Sequence, residues 1–90
     1  SMERRDWSLE ALKRLTYVDS LDDELRAEGI KSWALTYLDT DEISDFDLTH
    51  NELLTLRELL FKNTNFLYNY REDILKELKT ISKMKKFLKN

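Results

Sequence analysis

From Leu53 onward an aliphatic residue returns at every seventh position, at Leu60, Leu67, Ile74, Ile81 and Leu88. No proline interrupts the series, and the single glycine of the chain, Gly29, lies well before it. A seven-residue repeat of this length keeps one apolar stripe on one face of a helix and favours a left-handed coiled-coil seam. The companion positions three residues further on are mixed: Leu56, Asn63, Tyr70, Glu77 and Met84. Leu59, Phe66, Leu78 and Phe87 widen the stripe. Just ahead of the series, Thr49-His50-Asn51-Glu52 has the form of a capping box, with Thr at the cap and Glu three residues on. Together these signals predict a helix over residues 49–90, about 60 Å long. Asn63-Thr64-Asn65 is its weak point, because Asn and Thr side chains compete for backbone groups. The repeat keeps its phase through that point, so the reading is one continuous helix, with Asn63 setting register and oligomer state in the seam.

The rest of the chain is also read as helical. Sheets need turns, turns draw on Gly and Pro, and ninety residues with one Gly and no Pro supply few. The fold class expected is all-α, a helical bundle or hairpin with a long heptad-patterned C-terminal helix, in one domain with a thin core. Residues 8–38 form the N-terminal helical segment, with Ser8 as a candidate N-cap and Leu12, Leu15, Val18, Leu21 and Leu25 at helical spacing. Gly29 suits the position after a helix end, which leaves a short second helix from Ile30 to Leu38. A start at Ser20-Leu21-Asp22-Asp23, or one helix crossing Gly29, are the alternatives. Residues 39–48 read as an acidic linker that Ile43 and Phe46 pin to the bundle. Residues 1–7 read as a lead-in, with Ser1 a cloning remnant ahead of Met2.

Composition excludes several kinds of chemistry. The chain has no Cys, hence no disulfide, thiolate ligand or thiol nucleophile. With no apolar stretch after Glu3-Arg4-Arg5-Asp6, no signal peptide is read, and an intracellular, cytoplasmic setting is expected. The longest uncharged stretch, Asn63–Tyr70, is half polar, far from the ~20 apolar residues of a membrane span. His50 is the only His and has no partners for a triad or metal cluster. In the acidic linker, an EF-hand register starting at Asp39 puts Ile43, Ser44 and His50 where a ligand, a Gly and a Glu are needed, so it fails. No Gly-rich loop is present to cradle a phosphate. No enzyme activity, metal or cofactor is expected.

Charge is unevenly spread. Residues 19–52 hold eleven acidic side chains and two basic ones, Arg26 and Lys31, a net of −9. Residues 76–90 hold six Lys and one Glu, a net of +5. Such charge selects orientation in an assembly more than it adds affinity. Leu21–Leu38 resembles a helix-turn-helix in spacing, with Leu25, Ile30, Leu35 and Leu38 placed around a turn at Gly29. Its second helix carries a single cation, Lys31, among acidic neighbours, which opposes duplex binding. The function expected is therefore a non-catalytic protein–protein interaction module, a structural or regulatory adaptor or inhibitor that binds another protein chain. It is expected to form a homodimer along Leu53, Leu56, Leu60, Leu67, Ile74, Ile81 and Leu88. Phe61, Phe66, Tyr68 and Tyr70 cannot all face that seam, and they are the candidate partner surface. A small DNA-binding regulator using residues 21–38 is the alternative.

Overall fold

The computed structural model describes residues 2–89; Ser1, the expected cloning remnant, lies outside them. The chain is all-α. Helix α1 covers Met2–Asp19, α2 covers Asp23–Tyr37 and α3 covers His50–Lys89, with a single 3-10 turn at Ile43–Asp45 in the linker. Contacts at Arg5–Glu52 and Asp19–Asn63 set α1 parallel to the first half of α3. Helix α2 returns antiparallel, so that Trp33 reaches Ala11 and Tyr37 reaches Trp7. The three helices form a compact body at one end of a particle measuring 66 × 21 × 19 Å.

Each helix enters the core through a stripe at helical spacing. Helix α1 contributes Ser8, Ala11, Leu15 and Val18; α2 contributes Ile30, Trp33 and Tyr37; α3 contributes Leu56 and Asn63. The linker adds Phe46, buried against Trp7 and Trp33, with Ile43 partly buried beside it, as the sequence led one to expect. The aromatic rings meet edge-on or tilted: Trp7 lies 5.1 Å from Tyr37 and 4.9 Å from Phe46, centroid to centroid. Those geometries are favoured by ring quadrupoles. The Trp33 indole N–H, which burial would otherwise strand, donates to the Ala11 carbonyl at 2.8 Å.

Two local readings are corrected. Ser8 does not cap a helix, because α1 begins six residues earlier, at Met2. Ser8 sits inside the helix, fully buried, donating to the Arg4 carbonyl and accepting the Asp47 N–H, both at 2.8 Å. Residues 2–7 are therefore part of the folded body rather than a lead-in. Gly29 ends nothing: α2 runs through it, and the chain reverses earlier, at residues 20–22, with Asp22 extended before the first turn of α2. What Gly29 supplies is room. A Cβ there would stand 2.9 Å and 3.0 Å from the two γ-carbons of Val18, so the missing side chain sets how closely α1 and α2 approach. Without a turn at Gly29, the helix-turn-helix reading of Leu21–Leu38 has no geometry to stand on, and Leu25 and Leu35, two of its supposed core positions, are exposed.

Gly29→Ala therefore sets two effects against each other. Alanine gains about 1 kcal/mol in helix propensity. Overpacking costs about 1–3 kcal/mol, and the β-branched, buried Val18 has little rotamer freedom with which to yield. The variant is expected to unfold at lower denaturant than the parent, and Val18→Ala in the same chain to recover most of the loss. A Gly29→Ala protein as stable as its parent would show that the close approach is not a constraint.

Candidate interaction surface

The surface is built along α3, and its two halves differ. The capping box at the start of α3 forms as the sequence indicates: the Thr49 N–H donates to Glu52 Oε1 at 2.8 Å, and the Glu52 N–H donates to Thr49 Oγ1 at 3.3 Å. Arg5 adds a two-pronged bond to the same carboxylate, 2.6 Å and 3.0 Å long. Arg5 also donates to the Asp47 carbonyl, while Arg4 donates to the Asp45 carbonyl and pairs with Asp41 at 3.0 Å. The Asp45 carboxylate accepts the Glu42 N–H, closing the 3-10 turn. Two arginines of the first helical turns thus hold the acidic linker by its Asp45 and Asp47 carbonyls and by the Asp41 carboxylate. Sequence reasoning missed this role, although Arg4-Arg5 is the only pair of adjacent arginines in the chain.

One turn past the middle of the body, Asn63 is almost wholly buried. Its amide donates to Asp19 Oδ1 at 3.0 Å and to the Leu59 carbonyl at 2.8 Å, and its oxygen accepts from Arg26 Nε at 2.8 Å. Arg26 in turn pairs with Asp19 and lies 4.1 Å over the Phe66 ring. Lys62 reaches the other Asp19 oxygen at 3.0 Å. Partial burial pushes the Asp19 carboxyl upward, but the hydrogen bonds from Lys62 and Asn63 and the charges of Lys62 and Arg26 outweigh it, and its pKa lies below the usual value. One residue from each helix joins at this point: Asp19 of α1, Arg26 of α2 and Asn63 of α3. Among the described residues no buried side-chain polar atom lacks a partner. Continuity of α3 through 63–65 follows the heptad phase. The competing Asn63 amide bonds the Leu59 carbonyl without breaking the helix, and Thr64 does the same to Leu60.

The anticipated seam divides here. Leu56 is fully buried inside the chain, and Leu53, Leu60 and Leu67 are half-buried. Beyond Tyr70 every residue from Arg71 to Lys89 is exposed, although the helix continues. Ile74, Ile81 and Leu88 are therefore bare, at 39%, 48% and 79% exposure, and Leu78 and Met84 are exposed beside them. The bare stripe continues the face that is buried in the body. Ile74, Ile81 and Leu88 each lie eighteen residues after Leu56, Asn63 and Tyr70, and eighteen residues are about five turns of 3.6. Lys76, Lys79, Lys83 and Lys86 fall on the opposite side of the helix.

The four aromatics of the candidate partner surface separate into pairs. Phe66 and Tyr70 turn toward the body, half-buried and stacked at 5.7 Å. Phe61 and Tyr68 point away, at 73% and 65% exposure. With Leu54 and Leu75, also exposed, they make a second seven-residue series along the side of α3 away from the core. Leu54, Arg57, Glu58 and Phe61 line a shallow depression on it. This second series was legible in the spacing but was hidden by the longer one. No helix among the described residues is long and apolar enough to cross a membrane. The chain matches no family model, no curated protein sequence and no solved structure.

Two outcomes follow from the polar contacts. The Arg5 bond and then the Thr49 backbone bond hold the Glu52 carboxyl at about 2, below its ordinary 4.5. A lowered carboxyl stabilises the fold fully above its unfolded value and loses that contribution as pH falls from about 4.5 toward 2. Glu52→Gln lacks this titration, so the stability gap between parent and variant should narrow across that window. A gap constant with pH would remove the Arg5 pair from the account. Asn63→Ala leaves Arg26 and Asp19 short of a partner and is expected to cost about 1–3 kcal/mol in chemical denaturation; a variant of unchanged stability would show that water replaces the amide.

Proposed function

We propose that this chain is a non-catalytic protein–protein interaction module that self-associates through the second half of α3 and acts as a structural or regulatory adaptor or inhibitor. The observation that supports this most is the nineteen-residue helical stretch Arg71–Lys89, with an apolar stripe that no other element covers among the described residues. Most helical stability in proteins comes from packing an amphipathic face, and contiguous bare apolar surface marks sites of association. Covering the stripe both stabilises the helix and removes the exposed surface. The part of the anticipated seam that remains available is Ile74, Ile81 and Leu88, joined by Leu78 and Met84; Leu53, Leu56, Leu60 and Leu67 serve the body. The outward series of Leu54, Phe61 and Tyr68 stays open in such a dimer and is the surface for a different protein chain. An intracellular setting belongs to this reading.

The test is sedimentation of the parent and of Ile74→Asp/Ile81→Asp across protein concentration, with helicity followed by circular dichroism. The parent should be a dimer at the higher concentrations. The variant should be a monomer that keeps the melting transition of the body, since both positions are exposed. A parent that stays monomeric, or a variant that remains dimeric, would overturn self-association through this stripe.

A further inference from the structure

Resting on that self-association, we infer that the two copies pair antiparallel, tail against tail, each projection ending at the reversal between α1 and α2 of the other copy. Shape argues first. The bare stripe is the same face of α3 that carries α1 and α2 in the body. Two parallel projections facing each other would place both bodies in the space between them and hold the helices apart. In the antiparallel arrangement each body lies beyond the tip of the opposite projection, and the stripe is free along its length.

The stripe also matches itself in that direction. Antiparallel pairing sets Ile74 opposite Met84, Ile81 opposite Glu77, and Leu88 opposite Tyr70, because the members of each pair sum to the same number. Leu78 then meets its own copy near the two-fold axis, next to the one polar break at Glu77. Leu88 comes to rest against the stacked Phe66–Tyr70 pair at the end of the body. Arg71 approaches Lys85 of the second copy, a like-charge contact that Arg71 relieves by turning to Glu72, 3.5 Å from it already.

Charge points the same way at the ends. The reversal at residues 20–22 packs near Asn63 and Phe66 through Asp19 and Arg26. It leads into the exposed carboxylates Asp22, Asp23 and Glu24. In the antiparallel register Lys89 of the second copy arrives level with Asn69, beside that acidic reversal. Parallel pairing would set basic tip against basic tip and acidic body against acidic body. Arrangements of this kind are decided by such repulsions as much as by attractions.

Since the chain has no Cys, single cysteines report the direction directly. Ile74→Cys and Met84→Cys are purified separately and oxidised mildly, alone and as an equimolar mixture. The antiparallel arrangement predicts cross-linked dimer in the mixture and a large loss of it in either variant alone. There the two like positions are about 15 Å apart along the axis, beyond the about 7 Å a disulfide spans. High salt should weaken the dimer severalfold in sedimentation. A dimer in which Ile74→Cys cross-links with itself would overturn the antiparallel direction while leaving self-association intact. A parent monomer at all concentrations would overturn both, and a monomer that binds anionic phosphatidylserine vesicles would assign the stripe to a lipid surface instead.

Discussion

The fold turns on the buried bonds of Asn63. A polar side chain in an apolar stripe is costly unless every donor and acceptor is met, and meeting them here takes one residue from each of the other helices, Asp19 and Arg26. Their positions fix where α1 ends, where α2 begins and how far both extend along α3. Arg26 also lies over Phe66, and beyond Tyr70 every described residue of α3 is exposed. The polar lock thus lies about two turns before the point, after Tyr70, where α3 leaves the body. A leucine at this position could neither accept from Arg26 nor donate to Asp19, and would leave both short of a partner.

At the other end of the body, a second set of polar contacts does comparable work at the surface. Arg4 and Arg5 gather the linker carbonyls and carboxylates, so that Phe46 is delivered to the Trp7–Trp33–Tyr37 cluster. Each exposed pair is worth little alone. Their value lies in the chain segment they order. The linker has few apolar groups of its own, and only when its backbone is held does Phe46 gain the burial that closes the core.

Much of this was legible in the sequence, and the failures have physical reasons. The long helix, its capping box and its continuity through Asn63 followed from period and cap chemistry, both local properties of the chain. Phe46 and Ile43 as pins followed from being the large apolar groups of an acidic stretch. The ends of the first two helices did not follow, because Ser8 and Gly29 carry strong local meanings that tertiary packing overrode. Ser8 is small enough to lie under the linker, and Gly29 is small enough to lie against Val18. Each position takes a small residue because another element comes close, and closeness is not encoded at one position. The heptad stripe itself was visible in full, but its division at Tyr70 was not. The seven-residue aliphatic series runs through Tyr70 without a change of period, and the combined length of α1, the reversal and α2 determines how much of it is covered.

That last point bears on the projection. The seven-residue aliphatic series runs unbroken from Leu53 to Leu88, and its spacing gives no reason to stop burying it at Tyr70. It stops because α1 and α2, at eighteen and fifteen residues, are too short to reach further along a forty-residue helix. The uncovered remainder, Arg71 to Lys89, is nineteen residues, close to the length of either short helix. In the antiparallel pairing proposed above, the body would be the stop that sets how far a partner helix slides, and the face it occupies would exclude a partner that arrives with its own body on the same side. Intramolecular packing thus sets how much of the α3 stripe is left uncovered, from Arg71 to Lys89 among the described residues.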